Sequence, residues 1–549
     1  NELLSFDEKI LSGLHFKYDY SDNDYLSGGL YYYNQKIVNE RVDFGFEPMK
    51  NFIWNISGKY DQKVPFLTDL VNSIPLIETN KVSNIFVEGE YATVNPNPNP
   101  IGQAFLDDFE SSKRTSSPSI MQRHWKKSSV PILDGSFLNQ DDRGDLDWYN
   151  PFIDISTQDI WPQQDVSTQA KNSTTKILQL QLNHTDEMMW SGITTSLYSS
   201  DFDQSQSKYL DIWVNTNLVQ DDNLILNIDI GYISEDMNGN GSLDTEDEDI
   251  YGPGLGDGIL DDDEDVGLDG CIDQFEDGSG GCLEEANLNY IQGEDPNNDN
   301  WSYEQYSDDY SQINGTEGNG LSTDYRYPDT EDLDNDKSLD TINDYFTYPL
   351  NFANDPNLEN QTYDDNGDAT GWKLYRISLS NFSKASDSAD TSIDWDDVRS
   401  MRLWTNYDSS NELTFSGNNL LKIAKVELVG NEWKELGTSN IDQISEADFD
   451  SEASDFTITV INTQDNSNYE EPPGVQGEYD EINNIREKEQ SLVLDFYPIN
   501  DNVGGIESDE VIAIKKVLTN LSNDNKNNFF AYNFMEMFVY GNPIDTLGS

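Results

Sequence analysis

The residues best suited to chemistry in this chain are oxygen ligands. The run Asp236-Met-Asn238-Gly-Asn240-Gly241-Ser242-Leu-Asp244-Thr-Glu-Asp247 sets acids, amides and a hydroxyl at alternate positions, with the calcium-loop spacing D-x-[DN]-x-[DN]-G and Asp247 where an EF-hand carries its glutamate. Alternate oxygens converge on one hard cation if Gly241 allows the sharp turn, and the ion offsets repulsion among the carboxylates. Calcium held by Asp236, Asn238, Asn240, Ser242, Asp244 and Asp247 is the expectation, in a loop without flanking helices; the competing reading is a solvated acidic loop. Weaker relatives are Asp332, Asp334, Asp336 and Asp340, where Lys337 stands in place of the turn glycine, and Asp257 with Asp261 to Asp263.

Nothing comparable points to catalysis. With 104 Asp and Glu, some pair at glycosidase separation is guaranteed and says little. His15, His124 and His184 lie far apart, and GxSxG, HExxH and phosphate-cradling loops are absent. The chain is expected not to be an enzyme. Trp213, Trp372 and Trp404 could form a sugar-stacking platform, but aromatics on short strands more often serve as core.

The 549 residues carry 32 Lys plus Arg against those 104 acids, a net charge of −72, which excludes a nucleic-acid partner because such a surface repels phosphate. From Tyr209 to Tyr325 there is no Lys, Arg or His. A stretch this long and this acidic should be disordered or organised by bound cations. The mean hydropathy is −0.70, yet 12% aromatic residues argue for ordered β structure. No apolar run is long enough for a transmembrane helix, which leaves a transmembrane barrel open. Cys271 and Cys282 share one Gly/Asp-rich loop, as a disulfide staple or as two free thiols.

These residues need elements to position them. From Leu14 to Thr93 the pattern has a period of two: Leu14, Phe16, Tyr18 and Tyr20 alternate with His15, Lys17 and Asp19, and Trp54, Ile56 and Tyr60 with Asn55, Ser57 and Lys59. Such two-faced strands suit a transmembrane barrel or a soluble antiparallel sheet. Pro65 to Glu78 reads as a short helix or turn, and Asn95 to Pro100 as a boundary, because alternating prolines should end a ladder. Short strands at Tyr209 to Asn215, Leu224 to Gly231, Trp372 to Leu379, Val398 to Thr405 and Ile423 to Val429 predict a jelly-roll-like sandwich. Further strands are expected near Phe456 to Ile461, Gln490 to Phe496 and Phe534 to Tyr540. The fold class is therefore all-β: strands of a large transmembrane β-barrel over 1–95, an inserted sandwich over 101–437 with a long acidic insertion at about 232–370, and part of a second β unit over 445–549. Because Asn1 falls in mid-pattern, the chain is expected to be an internal segment of something larger.

Several strings, kept in order over nearly the whole chain, resemble the SprA/Sov family, the giant outer-membrane translocon of the type IX secretion system. They run from PFLTDLVNSIPLIET (Pro65 to Thr79), GEYA (Gly89 to Ala92), GQAFLDDFE (Gly102 to Glu110) and DLDWYNP (Asp145 to Pro151) through KYLDIWVN (Lys208 to Asn215) and IDIGYISEDMNGNG (Ile228 to Gly241). They continue in YPDTEDLDNDKSLDTINDYF (Tyr327 to Phe346), GWKLYRISL (Gly371 to Leu379), VRSMRLW (Val398 to Trp404), KVELVGNEW (Lys425 to Trp433) and EQSLVL (Glu489 to Leu494). The resemblance implies a segment of a large barrel in the outer membrane of a Gram-negative bacterium. Through such a barrel folded, secreted cargo proteins pass, with a PorV-like outer-membrane barrel and a periplasmic plug protein as partners. It also implies no catalytic residues, and long barrel insertions would place the sandwich as a cap at the extracellular face. Calcium follows from the spacing and not from the resemblance. The alternative function is a secreted calcium-dependent carbohydrate-binding jelly-roll module.

Overall fold

The computed structural model describes residues 8–36, 47–104, 113–162, 173–183, 190–197, 207–220, 223–247, 264–321, 327–388, 393–407, 419–449, 456–496, 509–516 and 532–541, with short breaks inside some stretches and isolated positions between them. They fall into two compact units, within Asn1–Asp108, Glu471–Glu487 and Val517–Ser549, and within Phe109–Glu470 and Lys488–Lys516. Asp107, Asp108 and Glu110, and Asp257 with Asp261 to Asp263, lie outside the described residues.

In the first unit, β1 (Glu8–Asp19), β2 (Tyr25–Lys36), β3 (Met49–Lys63) and β4 (Asn84–Pro98) form an antiparallel meander in chain order. Cross-strand register stacks Leu14, Leu30, Trp54 and Thr93 in one row and Phe16, Gly28, Ile56 and Tyr91 in the next. The opposite face carries His15, Gly29, Asn55 and Ala92, then Lys17, Ser27, Ser57 and Glu90. The Ser27 and Ser57 hydroxyls meet at 2.7 Å on that polar side. The Phe16 ring lies over Gly28, where a Cβ would stand 2.8 Å from it and would have to displace that exposed ring. On the apolar face Leu14, Phe16, Tyr18, Leu26, Leu30, Ile56, Val87 and Tyr91 are 43–65% exposed.

The ladder outruns the boundary expected at Asn95, because β4 continues to Pro98 and pairs Pro96 with Asn51 and Pro98 with Met49. Alternate residues of a strand turn their N–H groups to opposite edges, so prolines two apart withdraw donors from one edge only. Asn95 and Asn97 remain available to β3. Between β3 and β4 lies the α-helix Pro65–Asn72, opened by its proline at the first turn, where a missing N–H costs nothing.

The second unit is the sandwich. One sheet orders Leu358–Tyr363, Ala369–Ser378, Ser207–Leu218, Asn419–Asn431, Leu178–Asn183 and Asp145–Tyr149, with Lys113–Ser116 also on Asn419–Asn431. The other orders Ser383–Ser386, Asp344–Asn351, Leu224–Tyr232, Ser400–Tyr407, Trp190–Ser196 and Lys126–Lys127. Leu180, Leu210, Ile212 and Ile423 of the first sheet share one core with Leu226, Ile228, Ile230 and Leu403 of the second. The outer faces are covered too. Trp213 and Trp372 pack with Ile160 and Trp161, beside the short helix Thr157–Ile160. On the other sheet Arg402 Nη2 pairs with Asp229 Oδ2 at 2.6 Å with both side chains fully buried, and Trp404 Nε1 donates to the same oxygen.

Two expectations about extent change. Asp344–Asn351 and Leu358–Tyr363 are sandwich strands, so the acidic insertion is 233–343 and not 232–370. Pro349 is accommodated within Asp344–Asn351 because it lies beyond the four residues that pair with Ser383–Ser386, where no donor is needed on that side. The 445–549 segment is shared between the two units. Phe456–Asn462 pairs with Gln490–Phe496, Lys434–Asn440 pairs with Glu510–Lys515, and Phe534–Tyr540 is not a strand.

Candidate cation-binding site in the acidic insertion

The insertion leaves the sandwich after Tyr232 and returns at Asp344, and its two ends carry related decapeptides, identical at five of ten positions. Glu235-Asp-Met-Asn-Gly-Asn-Gly-Ser-Leu-Asp244 and Glu331-Asp-Leu-Asp-Asn-Asp-Lys-Ser-Leu-Asp340 align without a gap. In the first, Asp236 Oδ1 accepts the N–H groups of Gly239 (2.6 Å) and Asn240 (3.1 Å), and Oδ2 that of Gly241 (2.9 Å). In the second, Asp332 Oδ1 accepts those of Asn335 (2.6 Å) and Asp336 (3.3 Å), and Oδ2 that of Lys337 (2.7 Å). The backbone turns match: Gly239 and Gly241 have φ of 77° and 73°, Asn335 and Lys337 of 62° and 67°. Lys337 thus adopts the left-handed conformation for which a glycine was expected.

The glutamates are exchanged. Glu331 accepts the N–H groups of Met237 (2.8 Å) and Asp244 (3.1 Å) in the first loop, and Glu235 those of Leu333 (2.7 Å) and Asp340 (3.0 Å) in the second. Oxygens of Glu235, Asp332 and Asp334 lie within 4.8 Å of one another. Burial, with the charges of Asp332 and Asp334, pushes the Glu235 carboxyl up to about 7; burial, with Asp244 and Asp236, does the same for Glu331. The structure therefore brings together Asp236, Asn238, Asn240 and Asp244, whose carboxylate accepts both side-chain amides, and sets Ser242 N–H on Asn240 Oδ1. Asp247 instead accepts the Gly258 N–H at 3.0 Å. Asp334 and Asp336 occupy the places of Asn238 and Asn240, Asp340 that of Asp244. Glu235 and Glu331 were missed by the spacing argument; the repeated E-D-x-[ND]-x-[ND]-x-S-L-D was the available signal.

Basic groups of the sandwich hold this pair from below. Lys126 Nζ donates to the carbonyls of Thr330 (2.5 Å) and Asp332 (2.8 Å), and Arg143 Nη2 to that of Met237 (2.9 Å). Burial lowers both, Arg143 to about 10. A cavity of about 840 Å³ adjoins them, lined among others by Trp148, Asn297, Asp299 and Glu331. Deeper in the insertion Glu246 receives the N–H groups of Gly267 and Asp329, and burial with the Asp329 charge pushes it up to about 8. Cys271 and Cys282 form a disulfide, with Cα atoms 6.0 Å apart. Trp213, Trp372 and Trp404 are core, 3%, 3% and 1% exposed, so they offer no sugar platform.

No family model and no curated protein matches the chain. Among solved structures, a family 11 carbohydrate-binding module from Clostridium thermocellum, in complex with a β-1,3-1,4-mixed-linked tetrasaccharide, aligns at 10% identity and a TM-score of 0.22, over 58% of this chain and 96% of that one. The family 11 module of the cellulosomal cellulase Lic26A-Cel5E of Clostridium thermocellum aligns at 10% identity and a TM-score of 0.20, over 59% and 92%.

Proposed function

We propose that this chain is a segment of an outer-membrane protein-conducting channel of the type IX secretion kind, with β1–β4 as part of its lipid-facing wall. The observation that carries the reading is the two-faced sheet. From Phe52 to Tyr60 the apolar face of β3 runs Phe52, Trp54, Ile56, Gly58 and Tyr60 without a charge. That stretch spans about 27 Å at about 3.4 Å per residue, or about 21 Å of height at a tilt of about 40°, close to the apolar band of about 25 Å in such barrels. Aromatic residues mark both ends, Tyr18 and Tyr60 at one and Tyr32 and Phe52 at the other. The reverse face carries the lysines, glutamates and serines beside Tyr31, Ile53, Phe86 and Val94, and its charged rows suit a wet lumen.

In this reading the segment does no chemistry. The sandwich is an inserted domain exposed on the extracellular side, the paired decapeptides each hold a calcium ion, and a PorV-like barrel, a periplasmic plug and folded cargo are the partners. The test is made on the full-length parent protein in its own cell, by fractionating the envelope and treating intact cells with protease. Recovery in the outer membrane with cleavage inside the insertion is the expected result. Recovery in the soluble secreted fraction would overturn it.

A secreted carbohydrate-binding module is the second reading. One observation favours it: Phe152 and Tyr306 meet edge to face, with ring centroids 4.4 Å apart, and are 44% and 72% exposed. Retention of the protein on immobilised glycans, lost in Tyr306→Ala, would support it.

A further inference from the structure

A second group of carboxylates lies within the insertion, away from the paired decapeptides. The turn Asp273–Phe275 delivers Glu276, whose backbone forms an antiparallel bridge with Cys282 of the disulfide. Asp295 accepts the N–H groups of Asp299 and Asn300, both at 3.1 Å, and so fixes Asp299. The Trp301 N–H donates to the Glu317 carbonyl at 2.8 Å, and the Glu317 N–H to the Asp299 carbonyl at 3.1 Å, which sets Glu317 beside it.

The carboxylate oxygens of Asp269, Glu276 and Asp299 lie within 4.8 Å of one another, and so do those of Asp273, Glu276 and Glu317. Glu276 belongs to both groups. It is 2% exposed; its Oε2 accepts the Asn297 N–H at 2.7 Å, but its Oε1 is buried with no hydrogen-bond partner. Buried oxygens of Asp299 (Oδ1) and Glu317 (Oε2) also have none. A buried carboxylate oxygen without a donor is costly unless a cation faces it. The chain supplies little: no Lys, Arg or His occurs from Tyr209 to Tyr325, and Lys127, whose charge couples to Asp299, cannot neutralise five acids.

We propose that Glu276 is the centre of a further calcium site, in which its free Oε1 and oxygens of Asp269, Asp299, Asp273 and Glu317 surround one ion. Oxygen-only ligands from irregular loops, numerous and without octahedral order, suit calcium better than magnesium or zinc. Asn297 and Asn300 donate their side-chain amides to Asp269 and Asp273 and hold those two acids in place. Like-charge crowding agrees with this arrangement: burial and neighbouring acids push Asp299 up to about 7 and Glu317 to about 8. The inference depends neither on the membrane reading nor on the paired decapeptides.

The test is a calcium titration of the whole chain after chelation, comparing the unaltered protein, Glu276→Gln, and Asp236→Asn combined with Asp332→Asn. Glu276→Gln should bind about one ion fewer per chain, while the double variant keeps the ion at Glu276. Proteolysis of 269–317 reads the same site with opposite signs. In chelator Glu276→Gln should resist cleavage as well as or better than the unaltered chain, because one repelling charge is gone; in calcium it should gain no protection. Asp299→Asn provides the same pair of readings should Glu276→Gln fold poorly in chelator. Unchanged stoichiometry and full calcium protection in these variants would overturn the proposal.

Discussion

Side chains of β1–β4 set their apolar groups outward: Leu14, Phe16 and Ile56 stand exposed on one face of the sheet, with Lys17 and Glu90 on the other. The sandwich unit does the reverse, burying its leucines and isoleucines in the middle and also enclosing charged groups, Asp229 and Arg402 completely. In the proposed membrane reading, the difference reflects the solvent that each unit faces. Exposed apolar rows are costly in water and cost nothing against lipid, whereas buried charges are tolerable only with a partner fixed in place, a side chain or an ion.

The comparison breaks first at Asp229. Asp229→Ala strands the Arg402 guanidinium in a fully buried position and should cost about 3–5 kcal/mol, read by chemical denaturation of the full chain. A loss under about 1 kcal/mol would mean that the pair is not closed off from water. The sheet breaks next. Ile56→Lys, in the middle of the apolar face, should cost about 2–4 kcal/mol in a bilayer, and Ser57→Lys on the reverse face close to nothing. Equal costs would remove the assignment of one face to lipid.

Chelation should act on the insertion alone. With calcium at about a hundred times its dissociation constant, each site contributes about 2.7 kcal/mol. Cleavage within 233–343 should rise on chelation while the sandwich core keeps its near-ultraviolet dichroism. In chelator the same loops should lose protection as pH rises from about 4.5 to about 8. Glu235 and Glu331 are raised from the ordinary 4.5 to about 7 and Glu246 to about 8, so the folded form holds more protons across that window and its stability falls with increasing pH. Calcium should reverse the slope, since it needs the deprotonated acids. The smallest effect belongs to Lys337→Gly, which relaxes a left-handed backbone at the loss of the exposed Lys337 bond to the Gly256 carbonyl, a net gain of about 1 kcal/mol.

Much of this was legible in the sequence. Alternation over 14–93 and 209–429 reports which face is apolar, and that is a local property. The first acidic turn was legible because its acids and amides recur every second residue. What escaped was long-range or masked by a residue preference. Pro96, Pro98 and Pro349 each argue against a strand until it is known which edge they face. Lys337 argues against a turn that the surrounding hydrogen bonds enforce. Glu235 and Glu331 serve loops nearly a hundred positions away, and Glu276 gains meaning only when Asp299 and Glu317 are folded against it.

The exchanged glutamates give the chain a property that neither loop has alone. Because Glu235 closes the second decapeptide and Glu331 the first, the two form a clasp, and everything between Asp244 and Glu331 becomes a ring hung from one knot. The sandwich touches the knot through Lys126 and Arg143, and touches the ring itself through Asn314, whose side chain bonds both the N–H and the carbonyl of Trp148, and through Tyr310, stacked on Tyr149. Parts of the ring away from Tyr310 and Asn314 are therefore open to lengthening or shortening during evolution, while the clasp lets the strands on either side keep their register.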